Sequence, residues 1–439
     1  MSTPAGRAEA AAAYTQLLQK VYPAAAPLHA PALTREEAAQ LWTDARLGHG
    51  GKTLRHGTIR ILDFGTANET AGGPAVLRAD IECDGQRLRG DLALHTCAED
   101  WETEGCGSSE AYENVALHVV LQDPPTGWYT RTASHRDIPI LVLPPETQCR
   151  VFGCARLHTE NTEAAAALKE LSAERMVTLF RAAAAYRAEQ KARFFEQKAA
   201  VTGQEQAWFE AWAEVLGYAA NKSPMKSLAR RAPLVSLQGE DAEAILLGTA
   251  GFLQAVLPER TTEEARDYHR RVWGAWWRQR ERFVPAGTPS LPWVLSPVRP
   301  MNHPTRRVAA LALSARCWAE LLPLMNAAGA KRLTERLCAL SHPFWNTHCT
   351  LTAAPLRRKC ALVGQMRAAD FLTNVVYPLD RSEAAWATYL ALRAADVPTR
   401  LKSIAKQLFG PRQELTSLLR RHHVQQALLQ LQSDFGFLR

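Results

Sequence analysis

The sequence lacks the short motifs that most often reveal an enzyme's chemistry. Its 439 residues contain no P-loop, no G-x-G-x-x-G after a strand, no G-x-S-x-G nucleophile elbow and no H-E-x-x-H zinc motif. The nine cysteines include no C-x-x-C pair, so neither a disulfide framework nor a structural zinc site is indicated. The commonest nucleotide-binding, serine hydrolase and zinc protease classes are therefore not expected.

Long apolar runs are also missing. No stretch of ~18 uninterrupted apolar residues occurs, which argues against a membrane span. The alanine-rich start is interrupted by Glu9 and has only Arg7 upstream, so it makes a poor signal peptide. We therefore expect a cytoplasmic protein without a membrane partner.

Charge is distributed unevenly along the chain. Residues 1–150 contain 13 Lys and Arg against 19 Asp and Glu, a net charge of −6. The remaining residues contain 39 against 25, a net charge of +14. Such a division suggests that the second part holds a polyanion, while carboxylates of the first part act locally on a cation. Ordinary variation between surfaces is the alternative explanation.

A hairpin pattern marks the acidic part. Residues 76–83 and 86–95 alternate apolar and polar side chains around Asp84-Gly85, a pair that favours a two-residue turn because both residues tolerate positive φ. Residues 115–121 indicate a third strand, covered on both faces. From about residue 160 the apolar period becomes 3.6, which is typical of helices. The sequence therefore predicts an α+β protein: an N-terminal mixed or antiparallel sheet module with a helix, followed by a larger all-helical module.

Three segments follow from these patterns. We expect an N-terminal helix and proline-rich linker over residues 1–32, an α/β sheet module over 33–155 and a basic all-helical module over 156–439. In the second segment, the capping box that begins at Thr34 predicts a helix to about Leu47.

Ionisable residues share one face of the predicted hairpin. Asp91 and His95 are four residues apart in one strand, and Asp80 and Glu82 lie across the turn, while His118 is in the third strand. These five candidate catalytic residues would hold a divalent cation such as Mg²⁺ or carry out acid–base chemistry. The alternatives are a solvated face with cross-strand pairs to Arg87 or Arg89 and, for His118, a hydrogen-bonded core histidine.

Arginine and tryptophan are interleaved on one predicted helix. Trp273, Trp276 and Trp277 lie among six arginines between Arg266 and Arg282. Arginine and aromatic side chains together hold single-stranded nucleic acid by phosphate pairing and base stacking. The same i, i+3, i+4 spacing also fits a core stripe, which would leave only the arginines for a polyanion.

Two helix starts combine a capping residue with nearby basic residues. One begins at Asn221 and the other at Asn302, and a helix start concentrates unpaired N–H groups that favour anions. Capping alone is the alternative explanation. The candidate nucleic-acid or anion-binding residues are Lys222, Lys226, Arg230, Arg270, Arg278, Arg299, His303, Arg306 and Arg307.

Several dispersed segments resemble one protein family. They include Gly72-Gly73-Pro74, Gly90 to His95, Asp100-Trp101, Tyr112 to Val120 and Arg299 to Pro304. In this order they resemble the uncharacterised bacterial domain-of-unknown-function family 2851 over nearly the whole chain. The resemblance brings no established activity with it.

The resemblance nevertheless implies a metal-binding signature in the sheet module. The family pattern N-x-x-x-G-P-D-F, G-D-V-E-I-H and S-D-W with two nearby histidines is similar to the split acidic signature of Mg²⁺-dependent nucleases. This chain departs from that pattern, because Ala75 and Ala93 replace its Asp and Glu, while Glu104 and Cys106 stand at the two histidine positions. The resemblance therefore implies a nuclease-like module whose metal site is degenerate.

The expected function is binding of nucleic acid or another polyanion without efficient cleavage. One alternative is an active Mg²⁺-dependent phosphodiesterase that uses the residual carboxylates. Another is a non-enzymatic assembly partner whose basic helices meet an acidic protein. The sequence leaves the oligomeric state open.

Overall fold

The computed structural model describes residues 6–21, 42, 50–53, 56–68, 72–143, 167–285, 288, 290–394, 396–410 and 412–435. Their contacts form two compact units, one made of residues 1–197 with 390–439 and the other of residues 198–389. The predicted segment boundaries at 32 and 155, and the predicted helix from Thr34 except for residue 42, lie outside the described residues. No described helix is both long and apolar enough to cross a membrane.

The strands lie in the N-terminal part, as predicted. The strands are β1 (Gly50–Lys52), β2 (Thr58–Asp63), β3 (Thr66–Ala67), β4 (Val76–Cys83), β5 (Gln86–His95), β6 (Val115–Val120), β7 (Thr130–Arg131), β8 (Asp137–Ile138) and β9 (Ile140–Val142). The main sheet has the order β1-β2-β4-β5-β6-β9, with β3 beside β4, and β7 pairs with β8. Because β5, β6 and β9 are parallel while the other pairs are antiparallel, the sheet is mixed.

The central hairpin confirms the predicted turn. Cys83 pairs with Gln86, and Asp84 and Gly85 have φ values of 46° and 80°, the positive values that a two-residue turn requires. A bulge interrupts β4 where Arg78 has a φ of 59°. This irregularity lets the Arg78 backbone N–H donate to the Asp91 carboxylate at 2.9 Å.

An apolar cluster covers one face of this sheet. Ile59, Ile81, Leu92 and Leu117 are buried in it together with other side chains of β2, β4, β5, β6 and β9. A smaller cluster contains Ala93, Trp101, Cys106, Val115 and Ile138. The strand that contains His118 is buried at all six positions, which confirms that it is a covered strand.

The remaining elements are helical, which confirms the predicted fold class. The helices are α1 (Arg7–Val21), α2 (Asp100–Thr103), α3 (Ala173–Thr202), α4 (Gln204–Leu216), α5 (Lys222–Arg231), α6 (Ala242–Thr249), α7 (Glu263–Trp277), α8 (Arg280–Phe283), α9 (Pro304–Arg316), α10 (Trp318–Leu321), α11 (Ala330–Cys338), α12 (Gln365–Phe371), α13 (Tyr377–Leu379), α14 (Glu383–Ala391), α15 (Thr399–Phe409), α16 (Gln413–Thr416) and α17 (His422–Phe435).

Close packing fixes α4, α6, α7 and α9 inside the second unit. Trp212 on α4 donates to Ser314 on α9 at 2.9 Å. Helix α6 approaches α7 so closely that a Cβ atom on Gly248 would lie 2.0 Å from the Trp276 ring. Glycine is therefore required at this crossing. The buried side chains of α7 are Ala265, Tyr268, His269, Val272 and Trp276, which leaves the opposite face of the helix to its arginines.

Candidate functional site

Ion pairs within the sheet engage two of the predicted catalytic carboxylates. Asp80, whose side chain is 3% exposed, accepts from Arg87 Nε at 2.8 Å and Nη2 at 2.5 Å, and from Arg89 Nε at 3.3 Å. Glu82 lies 3.7 Å from Arg60 on β2. These pairs match the alternative interpretation of a face with cross-strand ion pairs.

The predicted grouping of carboxylates with His95 is not what the structure contains. Among the described residues, the one group of three or more possible metal ligands consists of His95, Glu104 and Cys106. It includes none of the three hairpin carboxylates, because Asp80 and Glu82 are drawn to arginines and Asp91 to the Arg78 backbone. Burial raises the pKa of Asp91, which opposes the charged form. Among the described residues, the hairpin carboxylates are therefore not grouped with His95, and a Mg²⁺ site on this face remains a prediction.

The two predicted histidines do come together. His95 is the last residue of β5, and its Nδ1 lies 2.9 Å from Nε2 of His118 on β6. The other ring nitrogen of His118, Nδ1, lies 2.9 Å from the hydroxyl of Thr130, which is fully buried. The Trp101 ring packs against both imidazoles and is held by a 3.0 Å hydrogen bond from its Nε1 to the Arg131 carbonyl. The result is a buried series of hydrogen-bonded side chains that leads from Thr130 through His118 to His95.

A tight turn after β5 brings two further side chains to His95. Helix α2 ends at Thr103, and Gly105 has a φ of 71°, which reverses the chain before Cys106. Glu104 Oε2 then lies 3.5 Å from His95 Nε2, and Cys106 Sγ lies 4.0 Å from the same nitrogen. Cys106 is buried, whereas the Glu104 side chain is 59% exposed and faces solvent.

The electrostatics of this group favour neutral imidazoles. Burial lowers the pKa of His95, an effect that Glu104 and Asp100 partly oppose. Burial lowers the pKa of His118 far more, and His95 adds to the shift. Burial also raises the pKa of Cys106, so the side chain is a thiol rather than a thiolate when no cation is bound.

The two alanines at which the sequence resemblance implies lost carboxylates, Ala75 and Ala93, lie in different apolar clusters. Ala75 is buried with Val76, Ile81 and their neighbours, whereas Ala93 packs with Trp101 and Cys106. Ala93 is the register partner of His118, so its methyl group belongs to the environment of the histidine pair.

In the second unit, four of the predicted anion-binding residues have structural partners. Arg230 lies 2.9 Å from Glu210, and Lys226 lies 3.8 Å from Glu214. Arg306 and Arg307 are only 1% and 3% exposed. Their guanidinium groups donate to the backbone carbonyls of Met301, Trp345, Cys360, Ala361 and Leu362.

Buried guanidinium groups that are held by carbonyls cannot meet a polyanion at the surface, so we do not retain Arg306 and Arg307 as contact residues. His303 acts as a helix cap, because its Nδ1 accepts from the Thr305 backbone N–H at 3.3 Å. Burial lowers the pKa of His303, so it adds no charge for an anion. The other predicted residues, Lys222, Arg270, Arg278 and Arg299, are exposed, and Arg270 lies 3.4 Å from Asp267.

The tryptophans of α7 separate into core and surface. Trp276 is buried against Gly248, as a core stripe requires. Trp273 is half-buried and stacks between His269 and Trp277, with ring centroids 5.6 and 5.4 Å away. Trp277 is 50% exposed, and the Arg280 guanidinium carbon lies 3.8 Å from its ring centroid. We call the series His269, Trp273, Trp277 and Arg280 the aromatic column.

Some of these residues were not among the predicted site residues. Glu104 and Cys106 are named only as departures from the family pattern. No spacing rule predicts that residues nine and eleven positions after the end of a strand lie beside its last residue, His95. The sequence predicts Arg280 only as one of six arginines on a helix. The exposed run Arg357-Arg358-Lys359 is not among the predicted residues, although three consecutive basic residues are a direct sequence signal.

Comparison with known proteins identifies the family. The family model described as "Protein of unknown function (DUF2851)" matches residues 39–393, which is most of the chain. No curated protein and no solved structure matches the chain. The matched region includes the hairpin, the histidine pair with its turn and the aromatic column. The chain therefore belongs to the DUF2851 family of proteins of unknown function.

Proposed function

We propose that this protein binds single-stranded nucleic acid in the cytoplasm through the aromatic column, without efficient cleavage. The observation that carries the proposal is the exposure of Trp277 at the end of a stack of rings and beneath an arginine. A tryptophan that served only the core would be buried, as Trp276 is. An exposed ring with a guanidinium group above it is a platform on which a base can stack.

The contacts of Arg280 suggest how a nucleotide would be accommodated. Its Nη1 donates to the Trp277 carbonyl at 2.8 Å, and its Nη2 lies 2.9 Å from the exposed carboxylate of Glu281. A nucleobase would take the place of the guanidinium group on the ring, and Arg280 would then pair with the adjacent phosphate. Breaking the Arg280–Glu281 ion pair would cost little free energy because exposed ion pairs contribute little to stability.

Charge around the column has the sign that a polyanion requires. Between residues 268 and 282 the sequence contains five arginines and one acidic residue, Glu281. Arg270, Arg271 and Arg278 are exposed on this segment. Phosphate pairing by such arginines gives affinity without sequence preference, whereas stacking favours single strands over duplexes.

Fluorescence anisotropy with a labelled oligothymidylate and a matched DNA duplex tests the proposal. We expect micromolar or weaker affinity for the single strand and weaker binding of the duplex. Trp277→Ala should weaken single-strand binding by about 5- to 150-fold, the effect of losing one stacked base at ~1–3 kcal/mol. Trp277→Phe should retain most of the affinity. Tyr129→Ala is the matched control, because Tyr129 is 49% exposed with Arg131 over its ring but lies in the other unit.

Salt dependence tests the arginine contribution separately. For single strands the slope of log K against log salt is about −0.7 per neutralised phosphate, so Arg278→Gln with Arg280→Gln should reduce it by about 1.4. Arg175→Gln, an exposed arginine of the other unit, should leave the slope unchanged. Absence of binding at low salt, or equal losses in Trp277→Ala and Tyr129→Ala, would rule out the aromatic column as the binding surface.

The same samples test for cleavage. We expect no Mg²⁺- or Mn²⁺-dependent cutting of DNA or RNA, because Asp80 and Glu82 are paired with arginines and Ala93 offers no ligand beside His118. Metal-dependent cleavage that Asp91→Asn abolishes would instead support the alternative of an active phosphodiesterase.

A further inference from the structure

The turn that follows β5 places three different donor groups around one point. His95 Nε2, a Glu104 carboxylate oxygen and Cys106 Sγ all lie within 4.8 Å of one another. We propose that these three residues bind one zinc ion or a chemically similar divalent transition metal. The site is independent of the aromatic column, which belongs to the other unit.

The spacing of the donors fits the proposed ion. Zinc bonds of about 2.0–2.3 Å with tetrahedral angles place neighbouring ligand atoms about 3.3–3.6 Å apart. His95 Nε2 lies 3.5 Å from Glu104 Oε2 and 4.0 Å from Cys106 Sγ. The His95–Cys106 separation exceeds the tetrahedral value by about 0.4 Å, which a small rotation of the Cys106 side chain would remove, and the exposed Glu104 side chain can rotate to adjust its own distances to the ion.

The hydrogen bonds behind His95 orient it as a ligand. A metal needs the lone pair of Nε2, which requires the ring proton on Nδ1. His118 Nε2 lies 2.9 Å from that Nδ1 and can accept a hydrogen bond from it, in which case His118 Nδ1–H would donate to the Thr130 hydroxyl 2.9 Å away. The Thr130 hydroxyl can either donate or accept, so the chain also accommodates the opposite proton arrangement, in which His95 Nε2–H donates to Glu104. His118 and Thr130 are therefore positioning residues of the kind found behind metal-ligating histidines.

The donor set selects the class of metal. Mg²⁺ prefers oxygen ligands in an octahedral arrangement, which a thiol and an imidazole do not provide. Sulfur, nitrogen and carboxylate together suit zinc and its neighbours in the transition series. On binding, the Cys106 thiol would release its proton to solvent as the metal–sulfur bond forms. Three protein ligands leave a fourth position for water, on the side where Glu104 faces solvent.

Cobalt titration of the reduced, metal-stripped full-length protein tests the site, because a Co²⁺–thiolate bond produces a charge-transfer absorption band in the near ultraviolet. We expect one equivalent of Co²⁺ to generate this band and Zn²⁺ to displace it. Cys106→Ser should abolish the band. Glu104→Gln should weaken Co²⁺ binding at least tenfold. Because the Glu104 side chain is exposed, unfolding would not explain that loss. Cys97→Ser is the matched control, because Cys97 lies just before the turn but outside the donor group.

The positioning residues have their own test. Thr130→Val should weaken Co²⁺ binding about 10- to 100-fold, the usual effect of removing a partner behind a ligating histidine. Thr130→Ser keeps the hydroxyl and should restore the affinity. Cys106→Ser should leave oligonucleotide binding unchanged, so failure of this proposal and failure of the nucleic-acid proposal are distinguishable. The proposal is overturned if no charge-transfer band forms, if the band persists in Cys106→Ser, or if Cys97→Ser abolishes it equally.

Discussion

Replacing Glu210 by Gln should destabilise α4 severely, because this carboxylate is buried between two cations. Glu210 is 1% exposed, and its Oε2 lies 2.5 Å from Lys198 Nζ and 2.9 Å from Arg230 Nε. The other carboxylate oxygen accepts from Gln206 at 3.1 Å. The substitution keeps the shape of the side chain but leaves two desolvated cations without the charge that neutralises them.

The pKa values of the pair indicate the size of the effect. Burial raises the pKa of Glu210, but Lys198 and Arg230 outweigh burial and lower it to about 2 from 4.5. At about 1.36 kcal/mol per pKa unit, this carboxylate stabilises the native state by about 3 kcal/mol at neutral pH. Burial lowers the pKa of Lys198 to about 8 from 10.5 even though Glu210 opposes the shift. The charged form of Lys198 therefore depends on Glu210, and loss of Glu210 alone should cost about 3–5 kcal/mol.

Hydrogen–deuterium exchange of the peptide that covers residues 204–216 measures this local effect without requiring two-state unfolding of the whole chain. Glu210→Gln should accelerate exchange there on the order of 10²- to 10⁴-fold. Glu214→Gln is the control on the same helix, since Glu214 is 38% exposed and 3.8 Å from Lys226, and should change exchange less than about tenfold. Adding Lys198→Met to Glu210→Gln should recover part of the protection. Equal acceleration by Glu210→Gln and Glu214→Gln would refute the reasoning.

Two further predictions follow from buried contacts of the second unit. Gly248→Ala should lower stability by about 1–3 kcal/mol, because its Cβ would lie 2.0 Å from Trp276, whereas Gly274→Ala, with nothing within 4 Å, should be neutral or stabilising in thermal unfolding. Burial raises the pKa of Glu243, but hydrogen bonds from His342, Tyr268 and Trp345 reverse the shift and lower it from 4.5. Because the folded-state pKa of Glu243 is lowered, its carboxylate stabilises the protein above pH 4.5, and this stabilisation is lost as the pH falls through the folded-state pKa. In urea titrations, Glu243→Gln should therefore be less stable than the wild type at pH 7, and its stability should fall less on acidification. An unchanged acid slope in Glu243→Gln would contradict this account.

Local chemistry explains which parts of the fold could be predicted. The turn at Asp84-Gly85 follows from two residues that tolerate positive φ, and the paired strands follow from strict alternation. The shift to a helical period near residue 160 predicted the larger helical region correctly. Helix ends were less predictable: the segment between Arg266 and Arg282 was expected to lie on one helix, but the structure has α7 and α8 with a break between them. Trp276 lies against Gly248 there, and a contact between two helices leaves no periodic signal in either one.

The candidate site shows where sequence reasoning fails for a physical reason. Alternation placed Asp91 and His95 on one face, but the bulge at Arg78 supplies a backbone N–H that engages Asp91. A bulge adds a residue to one strand, and the side-chain pattern does not reveal which backbone groups it frees. His118 was expected to be either a ligand or a core histidine, and its contacts place it buried and hydrogen-bonded behind His95.

Net charge does not reveal which basic residues of the second part of the chain can bind a polyanion. Net charge treats every arginine alike, yet burial divides them into two classes. Arg306 and Arg307 neutralise nothing outside the protein, because backbone carbonyls engage their guanidinium groups. Arg280 and Arg278 lie at the surface beside an exposed ring. Affinity for a polyanion should therefore follow the few arginines near Trp277 rather than the net charge of +14, and variants of buried arginines should lose stability before they lose binding.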